Sequence, residues 1–186
     1  MLKFKKLQPN AFKFYMRQSI EKYAEYIFES KEVDSLEEAR RVSQEEVLPW
    51  AREAETSKNH HLYRAKDNKN NTVGWLWFEM VEEGRKAFLV YIFVEPKFRG
   101  QGKASEILKF FEQQAKKIGA TEIVLYVFKI NVSAINLYKK WGYEIVDEVS
   151  SFNATKPTRY KMTKIGGQVS TTDKKKIGGQ VSTTDK

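Results

Sequence analysis

The sequence contains no cysteine, which excludes disulfide frameworks, thiolate zinc sites and cysteine nucleophiles and fits a reducing compartment. Histidine is scarce, with only His60 and His61. Neighbours on a strand point to opposite faces, so the two form no metal pair, and no metal is expected. No apolar run approaches the roughly 20 residues that span a bilayer, and no apolar h-region follows the basic start Met1-Leu-Lys-Phe-Lys-Lys6. A cytoplasmic protein without a membrane partner is therefore expected, in which Asn131-Val-Ser133 and Asn153-Ala-Thr155 match the glycosylation pattern by chance.

Blocks of like charge are also missing. The net charge is +9 over 186 residues, and the stretch from Lys164 onward supplies +3 of it through five lysines and two aspartates. The remainder is dispersed among acidic residues. Over 37–46 both signs mix as on a solvated helix face, which argues against nucleic acid as a partner.

What is present suffices for one core: 41% of residues are hydrophobic in a chain of ordinary single-domain length. Leu2 to Leu7 alternates as a first strand, and Pro9-Asn10 breaks it, with Asn10 as N-cap of a helix. In that helix Phe12, Met16, Ile20, Tyr23 and Ile27 form one stripe. Ser35-Leu-Glu-Glu38 is a capping box that opens a second helix, expected to run to about Trp50 with Pro49 near its end. From His60 the period changes to two. Strands are predicted over 60–66, 72–82 and 86–94, the first two joined by an Asn- and Asp-rich turn at 67–71. Both faces of 72–82 are apolar, which predicts a central strand covered on both sides. A helix from Lys103 ends at Gly119. Then follow a strand over 122–128, a short helix over 133–141 and strands over 143–149 and 159–163. The domain is assigned to 1–164. The segment Lys164-Ile-Gly-Gly-Gln-Val-Ser-Thr-Thr-Asp-Lys174 recurs unchanged at 176–186. Residues 165–186 are therefore read as a duplicated or added polar tail, flexible and outside the fold.

Chemistry concentrates between residues 91 and 143. Arg99-Gly-Gln-Gly-Lys-Ala104 sits between a strand and a helix, where free backbone N–H groups and the helix dipole favour an anion. Gly100 and Gly102 admit close approach, and Arg99 and Lys103 add charge. The loop is neither a Walker A sequence nor a three-glycine dinucleotide fingerprint.

Arg99-x-x-Gly102-x-Ala104 resembles the Q/R-x-x-G-x-G/A signature of the GNAT superfamily, the GCN5-related N-acetyltransferases. Ile92-Phe-Val-Glu-Pro96 resembles that family's bulged central strand. Asn131-Val-Ser-Ala-Ile-Asn-Leu-Tyr138-Lys-Lys-Trp-Gly-Tyr143 is similar to its second cofactor motif, so two motifs appear in the family's order. The resemblance is closest to small bacterial members carrying a His-His-Leu strand followed by Val-Gly-Trp-Leu-Trp, as 60–62 and 73–77 do here. It implies an α/β fold with a mixed, mostly antiparallel sheet flanked by helices. It also implies acetyl-CoA as cosubstrate and an amine acceptor, a small molecule or a peptide, for a monomer or homodimer. By the same resemblance, the amides of Gly100, Gln101, Gly102, Lys103 and Ala104 hold the pyrophosphate beside Arg99. Ile92, Phe93 and Val94 pair with the pantetheine arm, and an N–H near Val94 faces the developing oxyanion. Asn131 bonds the cofactor arm, Asn136 fixes the helix, and Tyr138 is the general acid for the leaving thiolate.

The base is where the sequence thins. No carboxylate lies on the strand over 86–94, and Tyr126 stands where some relatives that acetylate ribosomal-protein N-termini place a glutamate. Glu79 is the leading candidate, with Glu82 and His61 behind it. Trp75, Trp77 and Tyr91 are candidates for an acceptor pocket or for core, and no strongly acidic pocket is evident. A non-catalytic acyl-CoA-binding module and a basic nucleic-acid-binding protein are the rival readings.

Overall fold

The computed structural model describes residues 1–7, 13–150 and 156–166, with side chains in the first helix from Ser19 onward. The Asn10 cap, Phe12, Asn153 and the tail beyond Gly166 lie outside the described residues. The elements are β1 (Lys3–Lys6), α1 (Lys13–Glu29), α2 (Leu36–Thr56), β2 (His60–Lys66), β3 (Thr72–Val81) and β4 (Lys86–Val94). They continue with α3 (Lys103–Ile118), β5 (Glu122–Phe128), α4 (Val132–Lys140), β6 (Glu144–Val149) and β7 (Arg159–Ile165).

The seven strands form one sheet in the order β1-β2-β3-β4-β5-β7-β6. Among the described residues only β4 and β5 pair in parallel, as expected where the connection between them contains a helix. The sheet is mixed and mostly antiparallel, and helices flank it. Val73 through Phe78 of β3 are all buried, so this strand is covered on both faces. At Gly74 an added Cβ would stand 2.2 Å from the Phe93 carbonyl oxygen and 2.9 Å from Ile107 Cδ1. No larger residue allows β3 to approach both β4 and α3 so closely.

The two layers of helix differ. Below the sheet, α3 and α4 bury Ile107, Leu108, Phe111, Ile135 and Tyr138 against Leu76, Phe78, Leu89, Leu125 and Val127, forming the main core. Above it, α1 and α2 form smaller clusters, one around Trp77, Leu62 and Ala54 and one around Ile27, Val42 and Phe128. The upper pair is held by polar contacts as well. Ser43 Oγ donates to the Ile20 carbonyl at 2.7 Å across the two helices. Ser35 caps α2 by accepting from the Glu38 N–H at 3.1 Å, as the capping box predicts.

Two boundaries depart from the sequence reading by two residues or more. Helix α2 continues past Pro49 to Thr56. Proline removes one intrahelical donor, but packing of Ala51 and Ala54 against the Trp77 cluster carries the last two turns through. Strand β7 runs to Ile165, beyond the expected stop at 163 and into the first repeat unit. Lys164 is buried and donates to both oxygens of Glu112 on α3 at 2.8 Å, so it belongs to the domain on structural grounds.

Candidate active site

Strands β4 and β5 pair only from Lys86↔Glu122 to Leu89↔Leu125. Beyond that point β4 stays with β3 and β5 with β7, and the centre of the sheet opens between 90–94 and 126–128. A bulge marks the fork. Trp77 faces Tyr91 while Phe78 faces Leu89, leaving Val90 as the extra residue. One inserted residue reverses the alternation of side chains. Val90 and Tyr91 both pack on the upper cluster, while Ile92 and Val94 pack on the lower core.

The glycine loop that the sequence offers as an anion site follows the open end of β4. Gly100 and Gly102 both take φ of 72°, and a Cβ at either would meet nothing within 4 Å. Their glycines are needed for backbone conformation, and the space they leave faces outward. Gly102 caps the sixteen-residue α3 without any side-chain hydrogen bond. The first-turn N–H groups of α3 are therefore available to an anion. The predicted cations are partly occupied: Arg99 Nε donates to the Val94 carbonyl at 3.0 Å, and Lys103 pairs with Glu106. Gln101 turns back to donate to the Lys97 carbonyl at 3.0 Å, leaving the backbone as the chief anion-facing group. Ala104 sits half-buried in the first turn of α3.

Helix α4 brings Asn131 and Tyr138 to the same face. Asn131 caps the helix, its Oδ1 accepting from the Ala134 N–H at 3.2 Å and from Ser133 Oγ at 3.1 Å. Asn136 is exposed. Tyr138 is 5% exposed within the lower core, beside Tyr143. Burial holds its phenol well above the usual tyrosine range, so it carries its proton throughout the neutral range.

Short of the fork, where β4 is still paired with β5, the upper face carries a polar group beside aromatic residues. Glu79 on β3 lies opposite His60 on β2 and Phe88 on β4. Burial, with the charge of Glu53 behind it, raises its carboxyl above the ordinary value. The other candidate bases fall away from this group. Glu82 is exposed and bound to Lys86 at 2.8 Å. His61 stacks on Phe78 on the lower face, where burial lowers its pKa to about 4. Trp75 and Trp77 are core residues. Tyr91 is half-buried, with its phenol pushed up to about 12 by burial. Beside the opening, a cleft of about 530 Å³ runs between α1 and the end of β4, lined by Glu21, Glu25, Phe93, Glu95 and Arg99 among others. It brings together three carboxylates that the sequence did not associate. Two are neutralised in ion pairs, Glu21 with Arg40 and Glu25 with Lys22.

Sequence reasoning missed Glu53, which joins His60 and Glu79 from α2. It also missed the ion network opposite Phe128 at the end of β5, where Arg159 of β7 binds Glu32 and Glu46 at 3.2 Å each. The guanidinium lies over Tyr23 and Phe128, and the Tyr23 hydroxyl donates to Glu46. The turn at 67–71 was the available signal for the His60–Glu79 pairing, because hairpin length sets register. No local signal announces Arg159, whose partners lie more than a hundred residues away.

The fork between β4 and β5 thus leads to a helix N-terminus with no side-chain cap, an arrangement open to an anionic group. The chain belongs to the acetyltransferase (GNAT) family, whose model matches residues 17–143. It is similar to the uncharacterized N-acetyltransferases YdgE and YycN of Bacillus subtilis (strain 168), with 30% identity over 105 residues and 34% over 95. Those matches cover 55% and 50% of this chain and span 65% and 61% of the two relatives. The crystal structure of YycN superposes with a TM-score of 0.73 at 26% identity, covering 81% of this chain and 97% of that one. The PaiA N-acetyltransferase of Thermoplasma acidophilum in complex with coenzyme A shares the fold, with a TM-score of 0.64 at 17% identity over 89% of this chain and 99% of that one.

Proposed function

We propose that the protein transfers the acetyl group of acetyl-CoA to a primary amine by direct attack. The observation that carries this reading is the opening between β4 and β5, continuous with the uncapped start of α3. The pyrophosphate is held by the amides of 100–104, supported by the charges of Arg99 and Lys103. The pantetheine arm lies along Ile92, Phe93 and Val94, with Asn131 on its α4 side, while exposed Asn136 points away from the Tyr138 face.

The two faces of the sheet then divide the proton transfers. From the upper face, the amine reaches the thioester carbonyl, and the proton it loses passes to Glu79. A carboxyl raised by burial is closer in pKa to its task than an ordinary one. On the lower face, the C–S bond breaks and the sulfur takes a proton from Tyr138. A reference thiol pKa of about 8.5 makes the thiolate a willing acceptor only of a nearby donor, and a buried phenol is one. Burial makes the phenol a weaker acid, and removal of water from that face raises the proton affinity of the departing thiolate in the same direction, which offsets that loss.

The test is a screen of amines with free thiol as readout, covering polyamines, amino acids, aminoglycosides and peptide N-termini. Thiol release with at least one class is expected, together with thermal stabilisation by acetyl-CoA. Stabilisation with no thiol release from any amine would replace this reading with a binding module. No stabilisation at all would remove acetyl-CoA itself.

A further inference from the structure

Under α2, on the amine side of the sheet, Glu53, His60 and Glu79 each bring one ligand atom within 4.8 Å of the others. The His60 side chain is 1% exposed, and its Nε2 lies 3.9 Å from Glu79 Oε1 with no hydrogen-bond partner of its own. Its other nitrogen is occupied. Trp77 Nε1 lies 3.0 Å from His60 Nδ1, and an indole N–H can only donate. The lone pair of Nδ1 therefore receives that hydrogen bond, and the neutral ring carries its own proton on Nε2.

This tautomer excludes the two commonest roles for such a histidine. A metal ion would need a lone pair on Nε2, and a ligating histidine ordinarily donates from its second nitrogen to an acceptor. Here the second nitrogen faces a donor, so a carboxylate–imidazole cation site does not fit. A general base would have to accept a proton at Nδ1, setting two N–H groups against each other. What remains is an N–H donor, fixed in direction and pointed at a pair of carboxylates.

We propose that His60 is a positioning residue that orients Glu79 to receive the proton of the attacking amine, with Trp77 fixing the imidazole tautomer. This rests on the assignment of Glu79 as base made above. Shortening the separation from 3.9 Å to an ordinary hydrogen bond of about 2.9 Å takes only a small turn of the Glu79 side chain. The titratable groups facing Glu79 are His60 from β2 and Glu53 from α2, while β4 presents Phe88 there. Glu53 repels the ionised Glu79, and the Nε2–H bond favours it. Loss of that donor leaves the repulsion unopposed, so a higher pH is needed to ionise the base.

Nitrogen-resolved NMR of the imidazole in the wild-type protein tests the tautomer without reference to activity. Protonated Nε2 and unprotonated Nδ1 are expected at neutral pH, and Trp77→Phe should allow the other tautomer to appear. In kinetics, His60→Leu should lower kcat by up to roughly a hundredfold, the cost of a misplaced catalytic group, with the amine KM little changed. The acidic limb of its pH–rate profile should move to higher pH, and His60→Gln, which keeps a donor, should recover most of the rate. A wild-type Nδ1–H tautomer would overturn the proposal, as would stoichiometric Zn²⁺ binding abolished by His60→Leu. So would an unmoved limb with unchanged kcat in His60→Leu while Glu79→Gln is slow. If Glu79→Gln itself keeps full rate, the base assignment fails first, whatever the tautomer.

Discussion

The two faces of the sheet are built on different principles. Below it, α3 and α4 offer an apolar core, a glycine loop at a helix start and the buried phenols of Tyr138 and Tyr143. Above it, α1 and α2 are fastened by ion pairs and carboxylates: Arg159 to Glu32 and Glu46, and Glu53 beside His60 and Glu79. In the proposed reaction the cosubstrate, used in the same way at every turnover, would be served by backbone geometry. In the proposed reaction the acceptor side would receive an amine and take its proton, and that work would fall to side chains whose charge depends on their neighbours.

The largest expected effect strikes the lower face. Gly102→Glu should remove measurable coenzyme A binding in calorimetry, because it sets a carboxylate at the anion site. The side chain itself has room, so the cost to folding is confined to roughly 1–2 kcal/mol for a positive φ. Retained affinity would show that the glycine loop is not where phosphate binds. Next, Tyr138→Phe should lower kcat by about 10²–10⁴-fold, the range of a lost general acid, while coenzyme A affinity stays near wild type. Equal losses in binding and turnover would make Tyr138 a packing residue of the lower core.

On the upper face, Arg159→Ala leaves the fully buried Glu32 side chain and its neighbour Glu46 without their main cation. Breaking a buried pair from one side costs about 3–5 kcal/mol, measurable as a fall in Tm or in the denaturant midpoint. A smaller change is expected from Glu79→Gln. The Glu79 carboxyl is raised in the folded protein, so the native state binds more protons than the unfolded chain between the two pKa values, and stability falls as pH rises through that window. The glutamine variant should therefore melt above wild type at pH 8, with the difference closing toward pH 4. A constant difference across that range would show that Glu79 titrates normally.

The same contrast explains what the sequence disclosed. The lower half was legible because its signals are local: Arg99 to Ala104 and Asn131 to Tyr138 each lie within one loop or one helix, and glycine at positive φ is specific to few backbone shapes. Strand and helix positions along the chain followed from periodicity, with errors after Pro49, where packing overrode a stop signal, and at Thr163, where β7 runs two residues further. The upper half is assembled from Glu53, His60, Glu79 and Arg159, which share no motif and meet only through register and packing. Glu79 was reachable as a candidate, but the donor at its side was not, because the bond from Trp77 to His60 depends on which faces two strands present to each other.

Lys164 carries a consequence for shortening the chain. It opens a twelve-residue unit whose second copy begins at Lys176, yet it is also the β7 residue that neutralises Glu112. Deleting 164–175 joins Thr163 to Lys176-Ile177-Gly178, which restores the wild-type order of residues at the end of the strand. Stopping the chain at Thr163 supplies no replacement. The first deletion should leave Tm unchanged, and the second should lower it, although the two differ only in whether one copy of the same short sequence is left to fill the place.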